Sequence, residues 1–293
     1  MHESLRLLWG TILLRPYVFT FLAAYIVAGW RHIGWKRTLI FIPAGYALAW
    51  TSEFASIHCG FPYGDYFYIQ STADRELWVF GVPFMDSLSY VFLSYCSFSL
   101  AAFTMSPVAF RSWHLITLET PRIRRSWQTL VLGAVLFVLL DIIIDPVALL
   151  GEHWFLGKIY GYHHAGLYFG IPVSNFGGWL LVGFVLVGTL QALDAIPALD
   201  SNSPPTTGMT GPAALSWLRS MGPLLYFSVM SFNIAVTFYI GRMLLGLVDM
   251  LLFSALLGPM VLFTIRKNSQ ISGEVSHADR SGHESISRIN ARP

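Results

Sequence analysis

Charge is scarce in this chain. Only 12% of its 293 residues are Asp, Glu, Lys or Arg, about half the share of a soluble globular domain. The net charge is +2, so no basic field argues for nucleic acid as a partner. Cysteine is scarcer still. Cys59 and Cys96 stand far apart, match no metal or redox spacing, and are expected to be small buried hydrophobes. The opening stretch MHESLRLLWGTILLRP has an early Glu3 and no small-residue cleavage site after a short apolar core. It does not read as a signal peptide and is expected to be retained. No stretch reads as a water-soluble domain.

Apolar sequence is what the chain has in abundance. Hydrophobic residues make up 55% and aromatics 15%, and the mean hydropathy is +0.58. They come in blocks close to the ~20 residues that a membrane-spanning helix needs. Seven such segments lie at roughly 15–30, 38–57, 85–105, 128–150, 173–193, 223–240 and 244–265. The expected fold is an all-α, polytopic integral membrane helical bundle of about seven transmembrane helices. Gly241 and Arg242 barely separate the last two segments, which predicts a tight helical hairpin. The stretch SNSPPTTGMTGP reads as a linker. These boundaries predict a five-helix core with a polar pocket over 1–200, a linker over 201–222, a two-helix hairpin over 223–265 and a disordered tail over 266–293.

Lys and Arg set the expected orientation. Thirteen of the eighteen fall in the tail and the loops after the first, third and fifth segments. That bias predicts a cytoplasmic C-terminus and an outer N-terminus in a bacterial inner or plasma membrane. Threaded this way, Glu53, Asp86, Asp141, Asp145 and Asn175 gather towards one membrane face, with His58, His153, His163 and His164 in the nearby loops. The loops CGFPYGDYFYIQ and WFLGKIYGYHHAGLYFGIP are crowded with aromatics. Such residues settle at the membrane interface or fold back to roof a cavity. A short echo links Gly81-Val-Pro-Phe-Met-Asp86, with Tyr90 four residues on, to Gly170-Ile-Pro-Val-Ser-Asn175, with Trp179 four residues on. The second and third segments are expected to form one unit and the fourth and fifth a related one.

Asp141 and Asp145 are spaced i, i+4 and share a helix face. An ionised Asp at mid-helix costs ~2.5–3.5 kcal/mol by insertion scales, and two like charges cost more. The pair is expected to keep a proton at neutral pH, giving one acid and one carboxylate. Pro146 is expected to loosen the helix beside them. The structural alternative is that the acids hydrogen-bond to neighbouring helices through Asn233, Thr237 or the loop tyrosines. Metal binding has enough ligands but the wrong spacing, since Glu152-His153 and His163-His164 are adjacent pairs that cannot face one site. The D-x-x-x-D of 141–145 resembles one motif of membrane prenyltransferases. No second motif accompanies it, and the acid-bearing face is poor in the Lys and Arg a diphosphate would need.

Four stretches carry a wider likeness: EFASIHCGFPYGDYFY (53–68), GVPFMDSLSYVFLSY (81–95), LLDIIIDPVALLGEHW (139–154) and GLYFGIPVSNFGGW (166–179). Together they resemble the carotenoid hydratase family of integral membrane proteins, which includes the gamma-carotene and bisanhydrobacterioruberin hydratases. The resemblance covers most of the second to fifth segments. It implies addition of water across a terminal isoprenoid double bond to give a tertiary alcohol. It also implies a lipid-dissolved isoprenoid or carotenoid substrate, with other enzymes of carotenoid biosynthesis as candidate partners.

The residues suit that chemistry on their own terms. Proton donation to carbon needs a carboxylic acid, for which Asp141 or Asp145 is the candidate. A second group, Glu53 or Asp86, would deprotonate the water, and Asn175 would hold it. Tyr63, Tyr66, Tyr68, Trp154, Tyr168 and Trp179 are the candidate substrate-binding aromatics, because aromatic faces stabilise the tertiary carbocation. No cofactor and no metal are required. The rival reading is a transporter or a carotenoid-binding membrane protein, since proton-coupled transporters also place acids inside helices.

Overall fold

The computed structural model describes residues 2–111, 114–199 and 220–263. The expected linker and tail lie almost wholly outside the described residues. All seven apolar segments are helical. The helices are α1 (His2–Leu14), α2 (Pro16–His32), α3 (Trp35–Cys59), α4 (Phe84–Met105), a single turn α5 (Pro121–Arg124), α6 (Trp127–Leu149), α7 (Val173–Ala195), α8 (Met221–Tyr239) and α9 (Met243–Phe263). Among them α4, α6, α7, α8 and α9 are each long and apolar enough to cross a membrane, and α1 with α2 qualifies as one bent pair. The 25 residues of α3 reach about 37 Å. Lys36, Arg37 and Glu53 make it more polar, and it packs inside the bundle against α2, α4 and α7. The protein is an all-α polytopic bundle.

Two local features bear on the sequence reading. The first is α1, which no apolar run announced because Glu3 and Arg6 interrupt it. It meets α2 at 89°. The break is at Arg15, whose φ of −124° and ψ of 49° are not helical, and Pro16 opens α2 at a position that suits proline. Arg15 is fully buried. Its Nε and Nη2 each donate at 2.9 Å to Glu76, and its Nη1 donates to the Leu156 carbonyl. One guanidinium thus ties the start of α2 to both aromatic loops. The second is Pro146, beside which a loosened helix is expected; α6 is continuous through it to Leu149, as the bounds 128–150 predict. Of the cysteines, Cys96 is buried as expected, but Cys59 is exposed at the end of α3.

The opposite end of the bundle is held by charge. Asp194 accepts from Arg124 (3.1 Å) and Arg125 (2.7 Å), and Glu119 pairs with His32 (2.7 Å) and Arg124 (3.3 Å). These contacts join α2, α5 and α7 at one level. Between α4 and α5 the chain forms a hairpin of two strands, paired from Val108↔Thr117 to Arg111↔His114.

The echo in the sequence is an echo in the backbone. Phe80 and Phe169 both take positive φ (50° and 48°), and Gly81 and Gly170 follow at 84° and 91°. Positive φ is uncommon for any residue but glycine, so the same unusual two-residue turn precedes both α4 and α7. Pro83 and Pro172 then cap the two helices in extended conformation. The loops before these turns each contribute a short strand, Tyr66–Tyr68 and Tyr160–Tyr162, and the two pair antiparallel as Tyr66↔Tyr162 and Tyr68↔Tyr160. Tyr90 and Trp179, the matched aromatics four residues into α4 and α7, stack on each other at 4.7 Å and 21°. The units α3–α4 and α6–α7 therefore face one another across an approximate two-fold axis.

Candidate functional site

Each unit brings a carboxylate near the end of its first helix to a polar residue at the start of its second. In the first unit Glu53, only 2% exposed, meets Asp86. Tyr68 bridges them, with its hydroxyl 2.7 Å from Asp86 Oδ2 and 3.2 Å from Glu53 Oε1. Ser87 Oγ donates to Glu53 Oε2. Tyr68 has one hydroxyl hydrogen for two carboxyls, so it donates to one of them at a time and its oxygen is free to accept a proton from the other.

In the second unit the amide of Asn175 bridges the two aspartates, donating to Asp141 Oδ2 at 2.8 Å and to Asp145 Oδ2 at 3.0 Å. Tyr160 and Tyr162 each donate to Asp145 at 2.7 Å, on Oδ1 and Oδ2 respectively. Tyr160 also lies 3.0 Å from the Asp145 backbone carbonyl. Asp145 thus has three donors. Asp141, 0% exposed, has one, and its Oδ1 is buried without a partner. A bare buried carboxylate oxygen is costly, so Asp141 is suited to stay neutral throughout, and Asp145, the one of the two on the cavity wall, is the member that can carry a proton and give it up. Burial, then the charge of Asp145, raises both phenols well above their ordinary range. They remain hydrogen-bond donors at any working pH.

Both half-sites open on one cavity of about 120 Å3. Its polar lining is Glu53, Asp86, Ser89, Asp145, Asn175, Asn233 and a set of tyrosines, and no Lys or Arg is among the described residues that line it. The aromatic wall includes Tyr63, Tyr66, Tyr68, Tyr90, Trp154 and Trp179. Helix α8 closes the cavity with Val229, Phe232 and Asn233. Among the sequence-predicted residues, Glu53, Asp86, Asp145, Asn175, Tyr63, Tyr66, Tyr68, Trp154 and Trp179 come together here. Asp141 stands one layer behind, reached through Asn175. Tyr168 is not brought to the cavity: it packs on Phe169 and Phe176. Of the two helix-borne partners expected for the acids, Asn233 donates to the Val229 carbonyl and Thr237 lies 3.4 Å from Asp249.

The sequence reading offered the loop tyrosines as partners for the acids but did not single out Tyr160 and Tyr162, the ones that hold Asp145. Their signal was the alternation Tyr160-Gly161-Tyr162, which matches Tyr66-Phe67-Tyr68 in the other unit. It also passed over Ser87 and Tyr17. The loop histidines stay at the surface: His58 hydrogen-bonds to the Phe54 carbonyl and His163 pairs with Asp65. Among the described residues no three His, Cys, Asp or Glu side chains form a set that could hold a metal ion.

The arrangement can hold protons on carboxyls, hand them between tyrosines and acids, and enclose an apolar group in aromatic faces. Neither a curated protein nor a solved structure matches the chain. The family described as carotenoid biosynthesis protein matches it over residues 12–253. That span includes both half-sites, the cavity and α8, and the chain belongs to the carotenoid biosynthesis protein family.

Proposed function

We propose that the protein hydrates a terminal isoprenoid double bond of a carotenoid or its acyclic precursor by acid catalysis. The observation that carries this reading is Asp145, an acid on the wall of an aromatic cavity with no Lys or Arg among its described lining residues, with three donors aimed at its carboxyl. Proton donation to an alkene leaves a carboxylate behind. Tyr160, Tyr162 and Asn175 stabilise that carboxylate more than the neutral acid, because hydrogen bonds to an ion are about twice as strong.

In this mechanism Asp145 gives its proton to the less substituted alkene carbon. The π pair forms the new C–H bond, and a tertiary cation remains on the neighbouring carbon. Faces of Tyr66, Tyr90 and Trp179 stabilise the cation. A water lone pair closes on it, and the proton lost by that water passes to the Glu53–Tyr68–Asp86 triad. Return of one proton from the triad to Asp145 resets the site, so the net change is alkene plus water to tertiary alcohol. When Oδ1 carries the proton, the Tyr160 hydroxyl turns to the Asp145 carbonyl it already approaches. Asp141 acts through Asn175 as a positioning residue. The cavity lies at the face we read as outer, with the C-terminus cytoplasmic.

The test is a pigment mass spectrum. The chain is expressed in a bacterium that accumulates lycopene, beside an empty vector and Asp145→Asn at matched protein level. A pigment heavier by one or two waters, absent in both controls, is the expected result. Unchanged pigment with folded protein in the membrane, or full activity in Asp145→Asn, refutes the assignment.

A further inference from the structure

A cavity of about 120 Å3 is smaller than the ~300–1,000 Å3 that enclose a drug-sized ligand. It holds the end of a long isoprenoid and leaves the rest outside. Two of its wall residues, Trp154 and Phe232, also line a second, open groove formed with Phe155, Ala235, Val236 and Tyr239. The two spaces are separated by a knot of rings. Tyr17 stacks on Phe232 at 5.4 Å and 20°, and Phe155 meets Tyr17 edge-on at 5.5 Å. The partition is therefore made of side chains from α2, α8 and the loop after α6, with no backbone ladder across it. The groove is apolar along α8, and Tyr239 on its wall is exposed. The exposed Glu152 and His153 also line it, which sets that part of the groove at the polar edge of the bundle.

We infer that the groove along α8 carries the tail of a linear isoprenoid longer than the cavity, and that the Tyr17–Phe232 stack is the side gate through which its reactive end passes. This rests on the hydration reading and adds to it the route by which the substrate reaches the acids.

Binding tests the route separately from chemistry. The full chain, purified in detergent, is loaded with lycopene or with a radiolabelled ten-carbon acyclic terpene hydrocarbon, and retained ligand per protein is measured. Ala235 is exposed, so Ala235→Trp fills the groove without disturbing the core; Tyr239→Trp is the second variant should the first elute as aggregate. Filling the groove is expected to lower lycopene retention about tenfold and to leave the ten-carbon ligand unchanged. Phe232→Ala, which opens the partition, is expected to take up lycopene faster. If the filled variants lose both ligands alike, or keep lycopene as the wild type does, the route is wrong while the cavity reading stands. If the wild type retains neither ligand, the isoprenoid reading of the cavity is wrong and this inference goes with it.

Discussion

The Tyr160 and Tyr162 hydroxyls allow a quantitative test, because they touch the proposed acid directly. Each lies 2.7 Å from a different oxygen of Asp145. A hydrogen bond to a charged group contributes ~1.5–3 kcal/mol, and one between neutral groups ~0.5–1.5 kcal/mol. The difference, about 1–1.5 kcal/mol, is what each phenol supplies as Asp145 loses its proton. Tyr160→Phe or Tyr162→Phe should therefore lower kcat about tenfold each. Both phenols serve one carboxylate, so the double variant should fall short of the ~100-fold product, the sign of coupled neighbours. KM should hardly move, because the ground-state acid loses little. The assay is the initial rate of alcohol formation in membranes with protein levels matched. Wild-type rates in both single variants, or a loss confined to KM, would refute the role given to these phenols.

Three further outcomes follow from the same geometry. Tyr68→Phe removes the hydroxyl that links Glu53 and Asp86; it should slow turnover roughly ten- to a hundredfold and flatten the solvent isotope effect on the rate, and an unaltered isotope effect would place the water-deprotonating group elsewhere. Arg15→Met should destabilise the protein by ~3–5 kcal/mol by stranding the buried Glu76 carboxylate, whereas Arg15→Met with Glu76→Leu should recover most of the loss; melting of detergent-purified protein reads both, and a double variant no better than the single one contradicts the pairing. For Glu119, burial works against its charge, but His32 and Arg124 outweigh burial and hold it below the usual carboxylate range. Its stabilisation is therefore fully present above the ordinary pH ~4.3 of a free Glu and is lost as pH falls through the lower folded value, so Tm should drop on acidification below that point less steeply in Glu119→Gln than in the wild type.

The helices and the acids were legible in the sequence for one reason: in a greasy chain, both the apolar runs and the rare charges stand out. Glu53, Asp86, Asp145 and Asn175 could be placed on one face from helix direction alone. What holds those acids was harder to read. The strands at Tyr66–Tyr68 and Tyr160–Tyr162 are three residues each, too short for a period-two pattern to rise above the surrounding aromatics. Tertiary contact makes them strands, since each is the other's only ladder partner. Arg15 reads as one more loop cation by sequence, yet its side chain is fully enclosed with Glu76, a pairing set by the 89° turn between α1 and α2. Pro146 leaves α6 continuous to Leu149, because a missing donor one turn from the C-terminal end disturbs few hydrogen bonds.

The approximate two-fold axis between the α3–α4 and α6–α7 units has a stereochemical consequence. In the proposed hydration one half-site supplies the proton and the other receives the proton of the attacking water, and the strands that carry their tyrosines pair with each other. A flat alkene held between the half-sites presents one face to each. Proton and hydroxyl then add from opposite sides, so the terminal carbon, whose two methyl groups are chemically alike, is converted with a single handedness that an isotopically marked methyl would reveal.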